Sequence, residues 1–281
     1  MKLIKLYLFL LCTLSYSQNQ ILKGVIKNEK NETISNATIL NKSNKLFCFS
    51  DNNGLFQIPT NSKNDTIEIK HLGFETYSFI SKKENPIINL KEKKINLSEI
   101  TITYKNKNIA KISNNGNANS LYGIGINKSY LFALNTKSLN SKRIEKIEIP
   151  IKFKKGFDKA GTINFQLFKN FDNNSLGEAI SQIYSIEVNL LGNEKNIILD
   201  FSKQKIIIPN ENIFLYVERS IPNKVFENNF SLSSNPFFNI NKNGQEGDLF
   251  IKVIYDNEWI KIDKTNYPFI PKLNYELFYD E

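Results

Sequence analysis

The stretch Leu46-Phe47-Cys48-Phe49-Ser50-Asp51-Asn52-Asn53-Gly54-Leu55-Phe56-Gln57-Ile58 sets two short apolar runs on either side of a polar turn. The Asp51 side chain can accept from backbone N–H groups a few residues on, and Gly54 can take the positive φ that closes such a turn. The pattern predicts strand, hairpin turn, strand. Outward from it, Leu22 to Ile26, Ala37 to Leu40, Thr66 to Lys70, Phe74 to Ile80 and Ile87 to Leu90 are further short apolar segments between turn residues. Ile67 and Ile69 alternate with polar neighbours, as one buried face of a strand requires. Short strands at this spacing predict a β-sandwich.

Four segments then fall in order: Gly24-Val25-Ile26, Ile34-Ser35-Asn36-Ala37-Thr38-Ile39, Ser50-Asp51-Asn52-Asn53-Gly54-Leu55-Phe56 and His71-Leu72-Gly73-Phe74-Glu75. Between Ile21 and Leu90 they resemble the G-x-V, P-l-x-G-A-x-V, T-D-x-x-G-x-F and x-x-G-Y signature of carboxypeptidase-regulatory-like domains. The resemblance departs at Asn36, where that family often has Gly. It implies a small seven-stranded, transthyretin-like sandwich, as found beside metallocarboxypeptidase domains and at the N-terminus of many outer-membrane nutrient receptors. Leu97-Ser98-Glu99-Ile100-Thr101-Ile102-Thr103 is similar to the L-x-E-V-V-V-T segment that follows this domain in TonB-dependent receptors. The family's motif residues shape a hairpin and fill a core, so the resemblance implies no peptidase activity.

Residues 1–17 have the layout of a secretory signal peptide, with Lys2 and Lys5 before an apolar run from Leu6 to Leu14 and Ser15-Tyr16-Ser17 as cleavage site. Cys12 follows Leu11, where a lipoprotein signal needs a small residue, so no lipid anchor is expected. Loss of this segment leaves Cys48 without an intramolecular disulfide partner. An apolar run surrounds it, which suits a buried small hydrophobe. The net charge of +9 includes Lys2 and Lys5, and the remaining excess is spread evenly along the chain. Nucleic-acid binders concentrate such charge. Lys152-Phe153-Lys154-Lys155, the one short cluster, reads as a solvated strand end, so no nucleic-acid partner is expected.

Beyond a polar stretch at 105–119, read as a linker, the strand pattern resumes. Ile147, Ile149, Ile151 and Phe153 alternate around Pro150, which predicts an edge strand or a bulge there. Ile163, Phe165 and Leu167 alternate, as do Ile186, Val188 and Leu190. Asp248 to Tyr255 and Trp259 to Ile262 read as a hairpin, and Leu273 to Tyr279 as a closing strand. No amphipathic helix is convincing; Gly177 to Tyr184, the best, is too short to stand alone. The expected class is all-β: a signal peptide (1–17), the regulatory-like domain (18–104), the linker (105–119) and a larger jelly-roll-like β-sandwich (120–281). Ile163 to Phe168, and Ile208-Pro209 through Glu218, look like a β-rich region of uncharacterised Gram-negative envelope proteins. After the first domain too few residues remain for a nutrient-receptor barrel.

The chemistry is narrow. His71 is the single histidine among 281 residues, so a zinc hydrolase with two His ligands and most Ser-His or Cys-His schemes have too few parts. No P-loop, dinucleotide or nucleophile-elbow motif is present, and Gly123-Ile124-Gly125 is too short to count. Asp51 and Asn53 fit a turn better than a calcium loop, because Leu55-Phe56 follows. Acidic residues such as Glu178, Asp200 and Glu218 are plentiful but unpaired by spacing, so no catalytic residue, cofactor or metal site is expected. Trp259, Tyr267, Phe237 and Phe238 are candidate ligand-contact rings near turns and prolines. The expectation is an exported, non-catalytic module of the periplasm, or alternatively the outer-membrane surface, with no transmembrane segment and a glycan or envelope-protein partner. A carboxylate-dependent hydrolase and a purely structural component are the alternatives.

Overall fold

The computed structural model describes residues 20–61, 64–82, 85–93, 108–113, 123–126, 129–134, 143–157, 159–192, 194–208, 212–226, 236–241, 249–252, 254, 258–262, 270–271 and 274–279. The signal-peptide reading, Cys12 and Leu97 to Thr103 lie outside them. Among the described residues all regular structure is β, apart from one 3-10 turn at Val188–Leu191.

Seven strands build the first unit: β1 (Gln20–Asn28), β2 (Thr38–Asn41), β3 (Leu46–Phe49), β4 (Leu55–Thr60), β5 (Thr66–Lys70), β6 (Tyr77–Ile80) and β7 (Ile87–Leu90). They divide into two sheets, β4-β1-β7 and β3-β2-β5-β6. Alternate residues point inward, so Ile26, Ile39, Cys48, Ile58, Ile67 and Ile69 share one core between the sheets. Burial pushes the Cys48 thiol up to about 12, which keeps it an inert apolar filler.

One expectation needs correcting. Asp51 to Gly54 does not join a paired hairpin, because β3 and β4 belong to different sheets. The turn is a corner that carries the chain across the sandwich. Asp51 Oδ1 accepts from the N–H groups of Asn53 and Leu55, both at 2.9 Å. Gly54 holds φ at +71°. With β1 pairing β4 and β2 pairing β3, each strand is drawn to its own sheet.

The second unit is larger. A six-stranded antiparallel sheet runs in the order Tyr184–Glu187, Thr162–Lys169, Ile213–Ser220, Ser129–Leu134, Leu249–Lys252, Trp259–Lys261. A second sheet is built around Arg143–Lys152. Ile144, Ile147, Ile149 and Ile151 from that strand meet Ile163, Phe165, Leu167, Leu215 and Val217 in one core, which makes the unit a β-sandwich. Arg143–Lys152 is central rather than an edge. Pro150 lies between Glu148, the last residue paired with Asn274–Tyr279, and Ile151, the first paired with Phe237–Asn241, so its missing N–H is not needed there. Two further expectations change. Residues 108–113 are not linker but a strand, paired antiparallel with Asn274–Tyr279 so that its backbone groups find partners there. The strand expected through Leu190 stops at Glu187, and Leu190 is exposed on the 3-10 turn that follows.

The two sandwiches are joined through their outer faces. Ile213–Ser220 is buried along both faces: Ile213, Leu215 and Val217 enter the main core, while Phe214 and Tyr216 pack with Phe168 and Trp259. A strand buried on both faces reads as a nearly continuous apolar run, and this one does. Leu72 of the first unit joins that second cluster. Farther along, Val225–Phe226 pairs antiparallel with β3 and so adds an eighth strand to the first sandwich from within the second. Phe226 stacks on Phe47 at 5.0 Å between ring centres, beside Phe49, Leu40 and Ile221.

Candidate functional site between the two sandwiches

Where the polar part of the β2-β5 face meets the outer face of the six-stranded sheet, a cleft of about 360 Å³ opens. Thr38 and Lys70 are register partners on β2 and β5 and line one wall with His71 and Lys93. Tyr216, Glu218, Lys252 and Trp259 line the other. The position follows from the strand pattern. On β2, β3 and β5 the outward residues are apolar at Leu40, Phe47 and Phe49, which dock, and polar at Thr38 and Lys70, which stay open to the cleft.

Glu218 is the floor of a polar row that crosses three strands. Asn164 is its register partner on one neighbour, and Ser185 is the partner of Asn164 on the next. Ser185 Oγ donates to Asn164 Oδ1 at 2.7 Å, Asn164 Nδ2 donates to Glu218 Oε1 at 3.4 Å, and Tyr216 Oη donates to Glu218 Oε2 at 2.7 Å. Burial raises the Glu218 carboxyl above the usual range, against the two donors and the Lys93 charge. Partial burial also lowers the Lys93 ammonium, though Glu218 and Glu75 pull it back and the residue as a whole is exposed.

His71 forms a tight turn at the cleft wall. Its Nδ1 accepts from Gly73 N at 3.2 Å, which places the ring proton on Nε2, and its ring meets Phe74 edge to face at 5.1 Å. Burial, helped by Lys93, lowers its pKa to about 4. The unfolded chain therefore takes up a proton near pH 6.5 that the folded chain refuses until about pH 4. The associated stability is complete above pH 6.5 and is lost as pH falls through that window. His71→Asn keeps a short acceptor for Gly73 N and removes the titration. On going from pH 7.5 to pH 4.5 the wild type is expected to lose about 2 kcal/mol relative to this variant in urea unfolding. Parallel stability curves would show that His71 protonates freely in the fold.

The four candidate rings separate. Trp259 lines the cleft but is 93% covered, with Lys252 Nζ 5.8 Å from its ring centre and Phe171 and Tyr216 edge-on. It offers an edge rather than an open face. Phe238 and Phe237 require correction: Phe238 is fully buried in the main core and Phe237 is buried against Phe157 with Lys154 above it, so neither presents a ring to a ligand. Tyr267 lies outside the described residues. Of the acidic residues weighed from sequence, Glu178 pairs with Lys169, Asp200 accepts from Ser202 N, and Glu218 alone of the three lines the cleft. Lys70, Lys93 and Lys252 escaped sequence reasoning, since nothing local marks three scattered lysines as neighbours. The readable signal was Ile213 to Val217, whose unbroken apolar run implies a covered outer face.

The departure at Asn36 also has a structural account. Asn36 has φ +60°, a conformation that Gly adopts freely and Asn tolerates. Its Oδ1 accepts from Ser220 Oγ of the second unit at 2.7 Å. The side chain that replaces glycine thus ties the two sandwiches together.

The fold and site can be set beside known proteins. A family model described as CarboxypepD_reg-like domain matches residues 22–102. No curated protein matches the chain. Among solved structures, the Bacillus anthracis TIE protein is similar at 11% identity and TM-score 0.21, over 78% of this chain and 30% of that one. A carbohydrate-binding module of the beta-sandwich superfamily is similar at 7% identity and TM-score 0.25, over 74% and 93% of the two chains. BcpA, the major pilin subunit of Bacillus cereus, is similar at 10% identity and TM-score 0.19, over 91% and 67%. None superimposes closely enough to bear on the site. The four ordered motifs, the seven strands and the family match agree, and residues 22–102 of this chain are a CarboxypepD_reg-like domain.

Proposed function

We propose that the protein is an exported, non-catalytic binding module of the cell envelope whose ligand site is the cleft between its two sandwiches. The observation that carries this is the construction of the cleft: both units contribute walls, and strand addition at Val225–Phe226 together with the Asn36–Ser220 bond fixes them against each other. Its volume of about 360 Å³ falls within the range of small-ligand pockets, roughly 300–1,000 Å³. Among the described residues lining it, Glu218 is the single carboxylate, so a hydrolase using a carboxylate pair draws no support there. Export to the periplasm, or onward to the outer surface, rests on the signal-peptide layout of residues 1–17.

Ser175 lines the cleft and is exposed, so Ser175→Trp fills it without disturbing a core. Glycan arrays and pull-downs from envelope fractions are expected to show a ligand for the wild type and none for this variant at equal stability. Binding that ignores the plug would move the site elsewhere on the molecule, and an empty result on folded wild type would favour a purely structural component.

A further inference from the structure

We propose that the cleft takes an acidic saccharide, a hydroxyl-bearing ring with a carboxylate that the lysines receive. The inference rests on the cleft being the ligand site. Three ammonium groups reach it from separate elements: Lys70 on β5, Lys93 after β7 and Lys252 on the second unit. Each is already placed by its surroundings. Lys70 Nζ is 2.7 Å from Glu68, which also holds Lys42 at 2.5 Å, so one carboxylate serves two cations and the group stays net positive. Lys252 Nζ sits over the Trp259 ring, close enough for a cation–π contact. Lys93 lines the wall from an exposed position, within electrostatic range of Glu218, so its ammonium is open to an arriving anion.

The opposing charge is small. Glu218 is the one carboxylate among the described lining residues, and its oxygens accept from Tyr216 and Asn164. A bare inorganic anion would leave the rest of the lining without a role. Thr38, Thr76, Asn174 and Ser175 supply hydroxyl and amide groups that both donate and accept, which suits vicinal hydroxyls. The edges of Trp259 and Tyr216 give an apolar strip for the C–H face of a ring. The volume suits about one or two sugar rings, at the small end of ligand pockets.

Calorimetric titration of the purified protein with digalacturonate, neutral digalactose and inorganic phosphate tests the proposal. Digalacturonate is expected to bind saturably, digalactose at least about tenfold more weakly, and Lys93→Met to lower the acidic affinity on the order of 10- to 100-fold, as loss of a charge-assisted bond does. Lys252→Gln is the second variant, with a similar expected loss, should Lys93→Met fold poorly. Equal binding of the neutral sugar, or displacement of digalacturonate by phosphate at comparable concentration, overturns the acidic-saccharide assignment. So does silence toward both sugars when Ser175→Trp still abolishes capture of a partner, a result that leaves the cleft as the site. Silence in every arm, with Ser175→Trp without effect, removes both.

Discussion

Phe226→Ala is expected to destabilise the protein by about 3–5 kcal/mol, the usual cost of emptying a buried aromatic site, and to split one unfolding transition into two. Phe226 is 95% covered and stacks on Phe47 at 5.0 Å, with Phe49 edge-on at 6.0 Å. It also carries the backbone pairing of the second unit with β3. Truncation removes the aromatic anchor from a two-residue strand, and two residues of pairing cannot hold a strand without packing. The sandwiches then unfold separately, which urea titration followed by tryptophan fluorescence (Trp259, second unit) and by far-UV circular dichroism would resolve as non-coincident curves. Val225→Ala is the control. Val225 is 44% exposed on the same strand, so its truncation should stay within about 0.5 kcal/mol of wild type. A Phe226→Ala protein that unfolds in one transition, within 1 kcal/mol of wild type, would mean that this contact does not couple the units.

Which parts of this arrangement the sequence could disclose depends on how far apart the interacting residues lie. The strands of the first unit were legible because each is specified locally, by alternation and by flanking turn residues. The same holds for the hairpin of Leu249–Lys252 and Trp259–Lys261, and for Asp51 as a turn former. Partner choice was not legible. That β3 and β4 part into different sheets depends on β1 and β2, and that β3 gains Val225–Phe226 depends on residues some 177 positions away. Within the segment Pro222 to Phe226, only Val225 and Phe226 are apolar, too few for any periodicity. The cleft suffers most from this. Thr38, Lys70, Lys93 and Lys252 are ordinary surface residue types in isolation, and docking of two outer faces is what gathers them. The ring candidates failed at Phe237 and Phe238 for a related reason: proximity to Pro236 suggested a loop, whereas Phe237–Asn241 is a strand whose first two residues enter the interior.

Gly54→Ala should be comparably damaging, at about 3–5 kcal/mol, although the turn is exposed on one side and touches no ligand wall. Two effects add. At φ +71° an alanine pays for the left-handed conformation. Its Cβ would also stand 2.4 Å from the carbonyl oxygen of Ile26, far inside van der Waals contact. That oxygen cannot retreat cheaply. It accepts from Ile34 N at 3.0 Å, while Ile26 N donates to Gly54 O at 2.9 Å, so Ile26 is held on one side by Ile34 and on the other by the corner. Gly54→Asn separates the two effects: asparagine tolerates the backbone conformation but carries the same Cβ. If conformation alone mattered, the asparagine variant would recover most of the loss; with the clash dominant it should recover only about 1 kcal/mol. Full recovery in Gly54→Asn would show that the Ile26 carbonyl yields easily and that the corner is softer than its bonding implies. The consequence of a true loss extends to the site. The corner sets where β3 runs, β3 presents Phe47 and Phe49 to Phe226, and that contact holds the outer faces at the separation that forms the cleft. A substitution remote from every lining residue should therefore weaken ligand binding together with stability, which a surface turn that merely reversed a hairpin would not do.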